Sequence, residues 1–594
     1  HCRRRVYWVV SAHSRAYSEK TNSRKSITMQ NFPIVLGINY GGHDTSACIT
    51  VDGILVAACE EERYLKKKHT REFPTNAIND CLHKANVTID EVNEIAITYD
   101  PIYGIRETYL KSALEDEERI GFLINDINKI RQFYNIKELI REKTNFKGNI
   151  EFHLHHLCHL ASSYFVSGFD EALLVSHDGM GEIECSLFGA GKNGEITTIH
   201  SGNRYPDSLG LFYSAITHYL GWKHHCDEGI IMGLASYGDD TKIVPTTEKT
   251  YRQIFEEIIY ETGPFNFEID RSWIAYYHVR DKWISDKFVK IFGPKREPET
   301  PVSEHHKNIA AALQNRIETI VLNQLNKAKQ KYGFKKLCFA GGVALNCSLN
   351  GKIVEKGIVD EIFVQPASGD DGAAFGACLL SHKKLTGTLK PKKWHNFYLG
   401  SSYTAPEIED VLKKHQINYS SPPDIFQKTA LALKDKKIIG WFQGGAEFGP
   451  RALGNRSILT APFPASMKDY LNSRVKFREE FRPFAPAILH EYTKDYFSIN
   501  QESPHMLISA NVKEEKIEEI PAVVHIDKSA RIQTVTSENN LPFRKLLESF
   551  YKLTKCPVIL NTSFNVKGQP IVNSPEDALK CFLATNIDIL VMGD

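Results

Sequence analysis

The stretch "IVLGINYGGHDTSACITVDGILVAACEE", residues 34–61, decides the architecture of this chain. Apolar residues from Ile34 to Ile38 run into a turn, Tyr40-Gly-Gly-His-Asp44, and two more apolar runs follow, separated by Asp52-Gly53. An Asp-Gly pair between apolar runs is a strong hairpin signal, so the opening reads strand, turn, strand, strand. Helical periodicity over 74–85 and 106–145, a second hairpin over 171–190, and an amphipathic stretch at 308–331 leading into the strand "KLCFA" continue the pattern. Such alternation predicts an α/β fold.

At 594 residues the chain exceeds what one hydrophobic core organises. The segment "LTGTLKPKKWHNFY" (385–398) breaks the periodicity with Gly, Pro and a lysine cluster, and new strands follow at 437–443 and 557–564. The division is therefore a basic tail at 1–28, a first domain at 29–385, a linker at 386–398 and a second domain at 399–594. The tail, with seven Lys/Arg against one acid, reads as a non-native extension rather than a transit-like leader, because Met29 directly precedes the strand pattern.

A formal net charge of +1 argues against a general polyanion-binding surface, so nucleic acid is not an expected partner. No run of 18 apolar residues predicts a membrane span. Twelve cysteines at irregular spacings, without a CxxC pair, read as reduced thiols of a cytoplasmic protein. Monomer and homodimer both remain open.

Three clusters carry chemistry. In "EFHLHHLCHLASS" (151–163), His155 and His159 stand four apart, a spacing that puts two imidazoles about 6 Å apart on one helix face, within reach of one metal ion. His153 and His156 point elsewhere and read as ordinary surface or capping residues. Asp178, ending the strand "ALLVSHD", and Asp370, in "ASGDDGAAFGA", are carboxylates without a local partner; two His plus two Asp suit iron or zinc. Second, "GINYGGHDTSA" with Gly41 and Gly42, "DGMGE" with Gly179 and Gly181, and "FAGGVALN" (339–346) form three glycine loops at strand ends, able to cradle phosphate through backbone N–H groups. Their order is that of the phosphate and adenosine loops of actin-like and sugar-kinase ATPases, and no Walker A motif occurs. Third, "WFQGGAEFGPRALGNRSIL" (441–459) and "NSRVKFREEFRPFAP" (472–486) gather Arg451, Arg456, Arg474, Lys476, Arg478 and Arg482 among aromatics and prolines, with Arg531 and Asn561 further on. Planar, bidentate guanidinium in loops fixed by Gly and Pro points to a small, strongly anionic ligand. No GxSxG elbow is present, so a covalent acyl-enzyme is not expected.

The ordered motifs "GINYGGHDTSACI", "EEERYLKKKH", "HHLCHLASSYF", "DGMGE", "IMGLASYG", "FAGGVALN", "GDDGAAFGAC", "GAEFGPRALGNRSIL", "VKFREEFRPFAP", "ARIQTV" and "NTSFN" closely resemble those of the O-carbamoyltransferases of the nodulation-factor and tobramycin type, from about residue 34 onward. That resemblance implies an actin-like ATPase domain (a duplicated ribonuclease H-like unit) followed by a YrdC-like α/β domain. It also implies a reaction. Carbamoyl phosphate is hydrolysed in the second domain, the carbamate reaches the first and reacts with ATP to give carbamoyl adenylate and pyrophosphate, and a hydroxyl of a small natural-product acceptor attacks. On the same basis His155, His159, Asp178 and Asp370 would hold an iron ion, Fe2+, with Zn2+ or Mn2+ as alternatives, and ATP would bring Mg2+. His43, with Asp44, becomes the catalytic candidate that orients or deprotonates the acceptor. Gly341, Gly342, Val343 and Asn346 would line the nucleotide. Lys476, Arg478, Arg482 and Arg531, with Arg451 and Asn561 nearby, would hold carbamoyl phosphate. Two positions depart from the pattern: Gly445 stands where a basic residue is usual, which removes an anion contact, and Lys528-Ser529 replaces Gly-Thr.

Two other functions compete. A tRNA threonylcarbamoylating enzyme needs a broad basic face, which the near-zero charge and the acidic run "LEDEERIGFLIND" (114–126) do not provide. A non-catalytic nucleotide switch has no use for the arginine cluster. Acceptor specificity is expected in 100–147 and 240–305, the segments least like the family core.

Overall fold

The computed structural model describes residues 32–593, so the basic tail 1–28 lies outside the described residues. Within the first domain one unit occurs twice. Strands β1 (Ile34–Asn39), β2 (Ser46–Val51), β3 (Ile54–Glu60), β4 (Glu94–Ile97) and β5 (Asn149–Phe152) form a sheet of order β3-β2-β1-β4-β5. The first three pair antiparallel, and β4 and β5 join in parallel. Strands β6 (Glu171–His177), β7 (Ser186–Lys192), β8 (Glu195–His200), β9 (Lys336–Ala340) and β10 (Glu361–Val364) repeat the arrangement as β8-β7-β6-β9-β10, again with antiparallel and then parallel neighbours. This duplication is the actin-like, ribonuclease H-like architecture expected from the two hairpins. Gly189, Gly191 and Gly194 spell GxGxxG, but they lie in the antiparallel β7–β8 hairpin rather than between a strand and a helix, so they form no dinucleotide loop.

Strand β1 is buried along its whole length because a layer covers each face. Ile34, Leu36 and Ile38 share a core with Ala77, Ile78 and Cys81 of helix α1 (Thr75–Ala85). Val35, on the other face, joins a core containing Cys158, Ala161 and Phe165 of α2 (His155–Ser167). The long helix α3 (Glu304–Tyr332) precedes β9, α4 (Cys347–Glu355) follows it, and α5 (Asp370–Thr386) follows β10. Helices α2 and α5 occupy equivalent places in the two halves and cross at Gly376, where a Cβ would lie 1.9 Å from the Cys158 carbonyl oxygen. Since α2 carries His155 and His159 while α5 begins at Asp370, this crossing sets their separation. Gly376→Ala should cost on the order of 3 kcal/mol by overpacking. It should also strip bound metal; thermal unfolding and metal analysis of the purified protein check both.

The expected helical segment 106–145 is a series of short helices, and the stretch after α5 is irregular but packed. Lys392 and Trp394 donate main-chain hydrogen bonds to the carbonyls of Phe165 and Val166, and Phe397 and Leu399 share a core with α2 and with Phe448 of the second domain. The segment 386–398 is thus tied to α2, although most of it is exposed and Phe397 is its buried residue. Beyond it, β11 (Ile439–Phe442), β12 (Arg456–Thr460), β13 (Ala485–Leu489), β14 (Ile508–Asn511), β15 (Ser529–Val535), β16 (Val558–Ser563) and β17 (Ile589–Met592) build a mixed sheet of order β14-β15-β13-β16-β12-β11-β17. No helix among the described residues is long and apolar enough to cross a membrane, and the described cysteines are free.

Candidate functional site

Loops at the carboxyl ends of β1, β6, β9 and β10 converge on one point of the first domain. There His155 Nε2 and His159 Nε2 lie 3.0 Å apart, 3.1 and 3.6 Å from Asp178 Oδ2, and 3.5 and 3.7 Å from Asp370 Oδ1. All four donor atoms fall within 4.8 Å of one another. Two imidazoles and two carboxylates at this spacing, buried from water, fit a first-row divalent ion, and the set suits Fe2+, Zn2+ and Mn2+ alike. Burial opposes charge on Asp178, yet hydrogen bonds from His155 and His159 hold its carboxyl well below the usual range. His155 is raised well above its ordinary value because Asp370 and Asp178 outweigh its burial. Without metal the nest therefore keeps a proton, which an incoming ion must displace.

Main-chain contacts orient this nest. The N–H of Gly342 donates to Asp178 Oδ1 at 2.7 Å, joining the metal ligands to the loop after β9. Glu182, absent from the residues singled out in the sequence, accepts from the N–H of His155 and from that of Asp100, so a buried carboxylate caps the amino end of α2. His156 bonds Ser176 Oγ and the Glu184 carbonyl, and burial pushes it down to about 3. His153 bonds Ser381 Oγ and is pushed down to about 4 by burial. Both are structural.

The glycine loops surround the nest. Gly42 faces Asp370, a Cβ there lying 3.6 Å from Oδ2, and Gly181 faces His155 and His156, where a Cβ would come within 3.1 Å of both rings. Gly179 faces Leu211, and Gly341 takes φ +85° with no room for a side chain beside the His177 carbonyl. Val343 lies in a short 3-10 turn, and Asn346 caps α4 through Leu349 N while bonding Gln314. Of this loop Gly342 touches the nest, whereas Val343 packs against the hydrophobic core and the Asn346 side chain is committed to the fold.

His43 and Asp44 close the site, and a third residue joins them. His43 Nδ1 lies 2.7 Å from Asp44 Oδ2, and His69 Nδ1 lies 2.6 Å from Asp44 Oδ1, so one carboxylate holds two imidazoles. His69 ends the motif "EEERYLKKKH" and was not among the candidate site residues. His225 stacks on His43 with centroids 5.3 Å apart. Burial acts to lower His43, but Asp44 and then Asp370 raise it to about 9. A raised histidine contributes stability that is full below its unfolded value near 6.5 and is lost as pH rises through about 9. In metal-free protein the His43 ring should titrate near 9 by NMR, and Asp44→Asn should bring it back to its ordinary value or below.

Segments 100–147 and 240–305 both reach this corner of the first domain. Phe133 packs against Gly41, and Trp283 lies 5.3 Å from His225 and 4.5 Å from His224. They also bind each other, through Arg119 to the Tyr277 carbonyl, His278 to Asp116 and Arg280 to Asp126. Their charges serve that contact.

In the second domain Arg451, Arg478, Arg482 and Arg531 come together. Burial lowers Arg451 to about 9, with Arg531 and Arg482 adding repulsion; Arg478 is lowered well below its usual value by burial and by Arg482 and Arg531. Arg482 meets Glu479 at 3.6 Å, while the Nε atoms of Arg451 and Arg531 are buried without a protein partner. Arg478 gives Nε to Asn472 and one Nη to the Pro483 carbonyl. Asn561 gives its amide to the Ala452 carbonyl and Gln533, so its free Oδ1, an acceptor, offers the anion nothing. Clustered cations with unused donors make an anion pocket. Three residues need correction. Lys476 is 3% exposed, and its ammonium donates to the Ser563 carbonyl and to the carbonyl and Oδ1 of Asn565, so it fixes the wall rather than offering a free charge. Arg456 is spent on the carbonyls of Gln443, Asn455, Ser401 and Gly444. At Gly445 a Cβ would sit 2.4 Å from the Tyr398 carbonyl oxygen, so this backbone admits no side chain there and no anion contact has been lost.

The family model "Carbamoyltransferase N-terminus" matches residues 34–379 and "Carbamoyltransferase C-terminus" matches 430–594. Among relatives, "Uncharacterized protein sll1178" of Synechocystis is 38% identical, covering 94% of this chain and 95% of that protein. "Nodulation protein NolNO" of Sinorhizobium fredii is 35% identical over 93% of this chain and 78% of its own length. "Nodulation protein U" of Rhizobium tropici is 28% identical over 91% and 92%.

Proposed function

This chain belongs to the carbamoyltransferase family and is a carbamoyltransferase; on that premise we propose that it transfers the carbamoyl group to a hydroxyl in an ATP-dependent reaction spread over two sites. The observation that carries this reading is the pairing of an arginine anion pocket in one domain with a two-His, two-Asp nest ringed by glycine loops in the other. In the pocket, Arg451, Arg478, Arg482 and Arg531 bind the phosphate of carbamoyl phosphate, and water releases phosphate and carbamate. In the first domain a carbamate oxygen attacks the α-phosphorus of ATP, brought with Mg2+, and pyrophosphate leaves. The acceptor oxygen then attacks the carbamoyl carbon, and AMP departs.

His155, His159, Asp178 and Asp370 would hold the resident ion, ferrous by this reading, which when bound supplies positive charge beside the nucleotide phosphates. Gly41, Gly42, Gly179, Gly181 and the Gly341–Val343 loop offer backbone N–H groups to those phosphates. Asp44 fixes His43 through Nδ1, leaving Nε2 to meet the acceptor hydroxyl or the departing AMP oxygen. Free carbamate decomposes in water, so packed domains protect it. The acceptor is a small hydroxylated natural product admitted beside segments 100–147 and 240–305, and the setting is cytoplasmic.

Purified protein given ATP, Mg2+, carbamoyl phosphate and a pool of hydroxylated compounds should release pyrophosphate and yield a carbamoylated product by mass spectrometry. Absence of pyrophosphate with every acceptor would overturn the reading.

A further inference from the structure

Glu60 ends β3, and Arg63 follows within the helical turn Glu62–Leu65. Both are almost wholly buried, at 7% and 4% exposure. Glu60 Oε2 accepts from Arg63 Nε at 2.5 Å. One further group of each crosses to the second domain and meets the same residue there: Glu60 Oε1 accepts from the N–H of Gly449 at 2.6 Å, and one Arg63 Nη donates to the Gly449 carbonyl at 2.7 Å, the other Nη being buried without a partner. One ion pair thus grips both polar groups of one glycine, a two-point attachment that fixes its orientation as well as its position.

Gly449 has a second neighbour. Its φ is +114°, and a Cβ would lie 2.5 Å from the Pro366 carbonyl oxygen, in the loop that leads into Asp370. On its amino side the chain is already stitched, Phe448 to Phe397 and Ala446 to Ser401. On its carboxyl side come Pro450 and Arg451, and among the described residues neither makes a main-chain hydrogen bond. The grip of Glu60 and Arg63 is therefore the anchor of Arg451 on its amino side, while on its carboxyl side Asn561 holds the Ala452 carbonyl and Glu447 the Leu453 N–H, both from the second domain.

We propose that Glu60 and Arg63 are positioning residues for the anion pocket: a buried ion pair of the first domain sets Arg451 of the second, so that anion binding there depends on the first domain. This rests on the functional reading above as regards carbamoyl phosphate, but not as regards phosphate. An exposed ion pair at a domain boundary would contribute little, whereas this one is desolvated and charge-assisted on both sides.

The test uses the full chain. Glu60→Gln keeps the shape and one acceptor; Arg63→Met removes the grip; Arg63→Lys keeps charge but loses the planar fork that reaches Glu60 and Gly449 together. Inorganic phosphate, titrated by calorimetry, reads the pocket without turnover, and phosphate release from carbamoyl phosphate without ATP gives KM and kcat. Glu60→Gln and Arg63→Met should each weaken phosphate binding and raise the carbamoyl phosphate KM at least tenfold, with kcat changed much less and metal content unchanged. Arg63→Lys should recover part of the loss. In an Arg451→Met background Arg63→Met should add nothing further, which a general loss of stability would not produce. Unchanged phosphate binding in folded Glu60→Gln, or full additivity with Arg451→Met, overturns the proposal. A wild-type protein that binds phosphate yet never releases it from carbamoyl phosphate overturns the functional reading instead, and the positioning role is then decided by phosphate binding alone.

Discussion

Asp178→Ala is expected to reduce pyrophosphate release by on the order of 1,000-fold or more, about 4 kcal/mol of transition-state stabilisation, while phosphate release from carbamoyl phosphate stays near the wild-type rate. The asymmetry follows from where Asp178 sits. One oxygen faces the two imidazoles of the nest and the other accepts from Gly342 N, so its loss breaks the metal site and frees the loop after β9 together, and neither belongs to the second domain. Asp178→Asn separates the two contributions: the amide oxygen can still take the Gly342 N–H, but the charge is gone. Metal bound to Asp178→Asn should fall as far as in Asp178→Ala, while the stability loss is smaller. In the wild type, metal affinity should weaken as pH falls, because the raised His155 holds its proton more firmly and must release it to bind. Metal content after dialysis across a pH series measures this directly.

The second large effect separates stability from binding. Arg451→Met should weaken binding of phosphate or carbamoyl phosphate by on the order of 100-fold, about 2–3 kcal/mol for a charge-assisted contact. In the anion-free protein the same change should leave the thermal midpoint unaltered or raise it. Burial, Arg531 and Arg482 all disfavour charge on Arg451, and its buried Nε has no protein partner to offset them. Methionine has similar length and removes that repulsion. Added phosphate should stabilise the wild type much more than the variant, by the linkage of binding to folding. A large fall in midpoint for anion-free Arg451→Met would show instead that Arg451 is a structural residue like Arg456.

Some of the site could be read directly from residue spacing. His155 and His159 were separable from His153 and His156 because helical geometry puts i and i+4 on one face, and the structure gives the other two to Ser381 and to Ser176 with Glu184. Among the arginines, residue type alone could not separate roles. Arg451 and Arg456 lie in the same motif, yet one faces the anion pocket and the other is turned onto four carbonyls. Lys476 is similarly committed to the Asn565 loop. His69, Glu60 and Arg63 were not among the candidate site residues. Their partners, Asp44 and Gly449, lie 25 and 389 positions away.

By itself the sequence determined the layers of this protein: two antiparallel hairpins, each followed by helices and parallel strands, and further α/β structure towards the carboxyl end. It did so because period and turn chemistry are local, set by backbone geometry over a few residues. It also determined which residue types could bind metal, phosphate or carboxylate. Only the tertiary structure decided which of them meet. The approach of α2 to α5 at Gly376 brings two histidines to an aspartate more than 200 positions away. The closure of Glu60 and Arg63 on Gly449 ties the two domains' sites together. Such contacts depend on close packing and on buried polar groups finding partners across the fold, which no local pattern encodes.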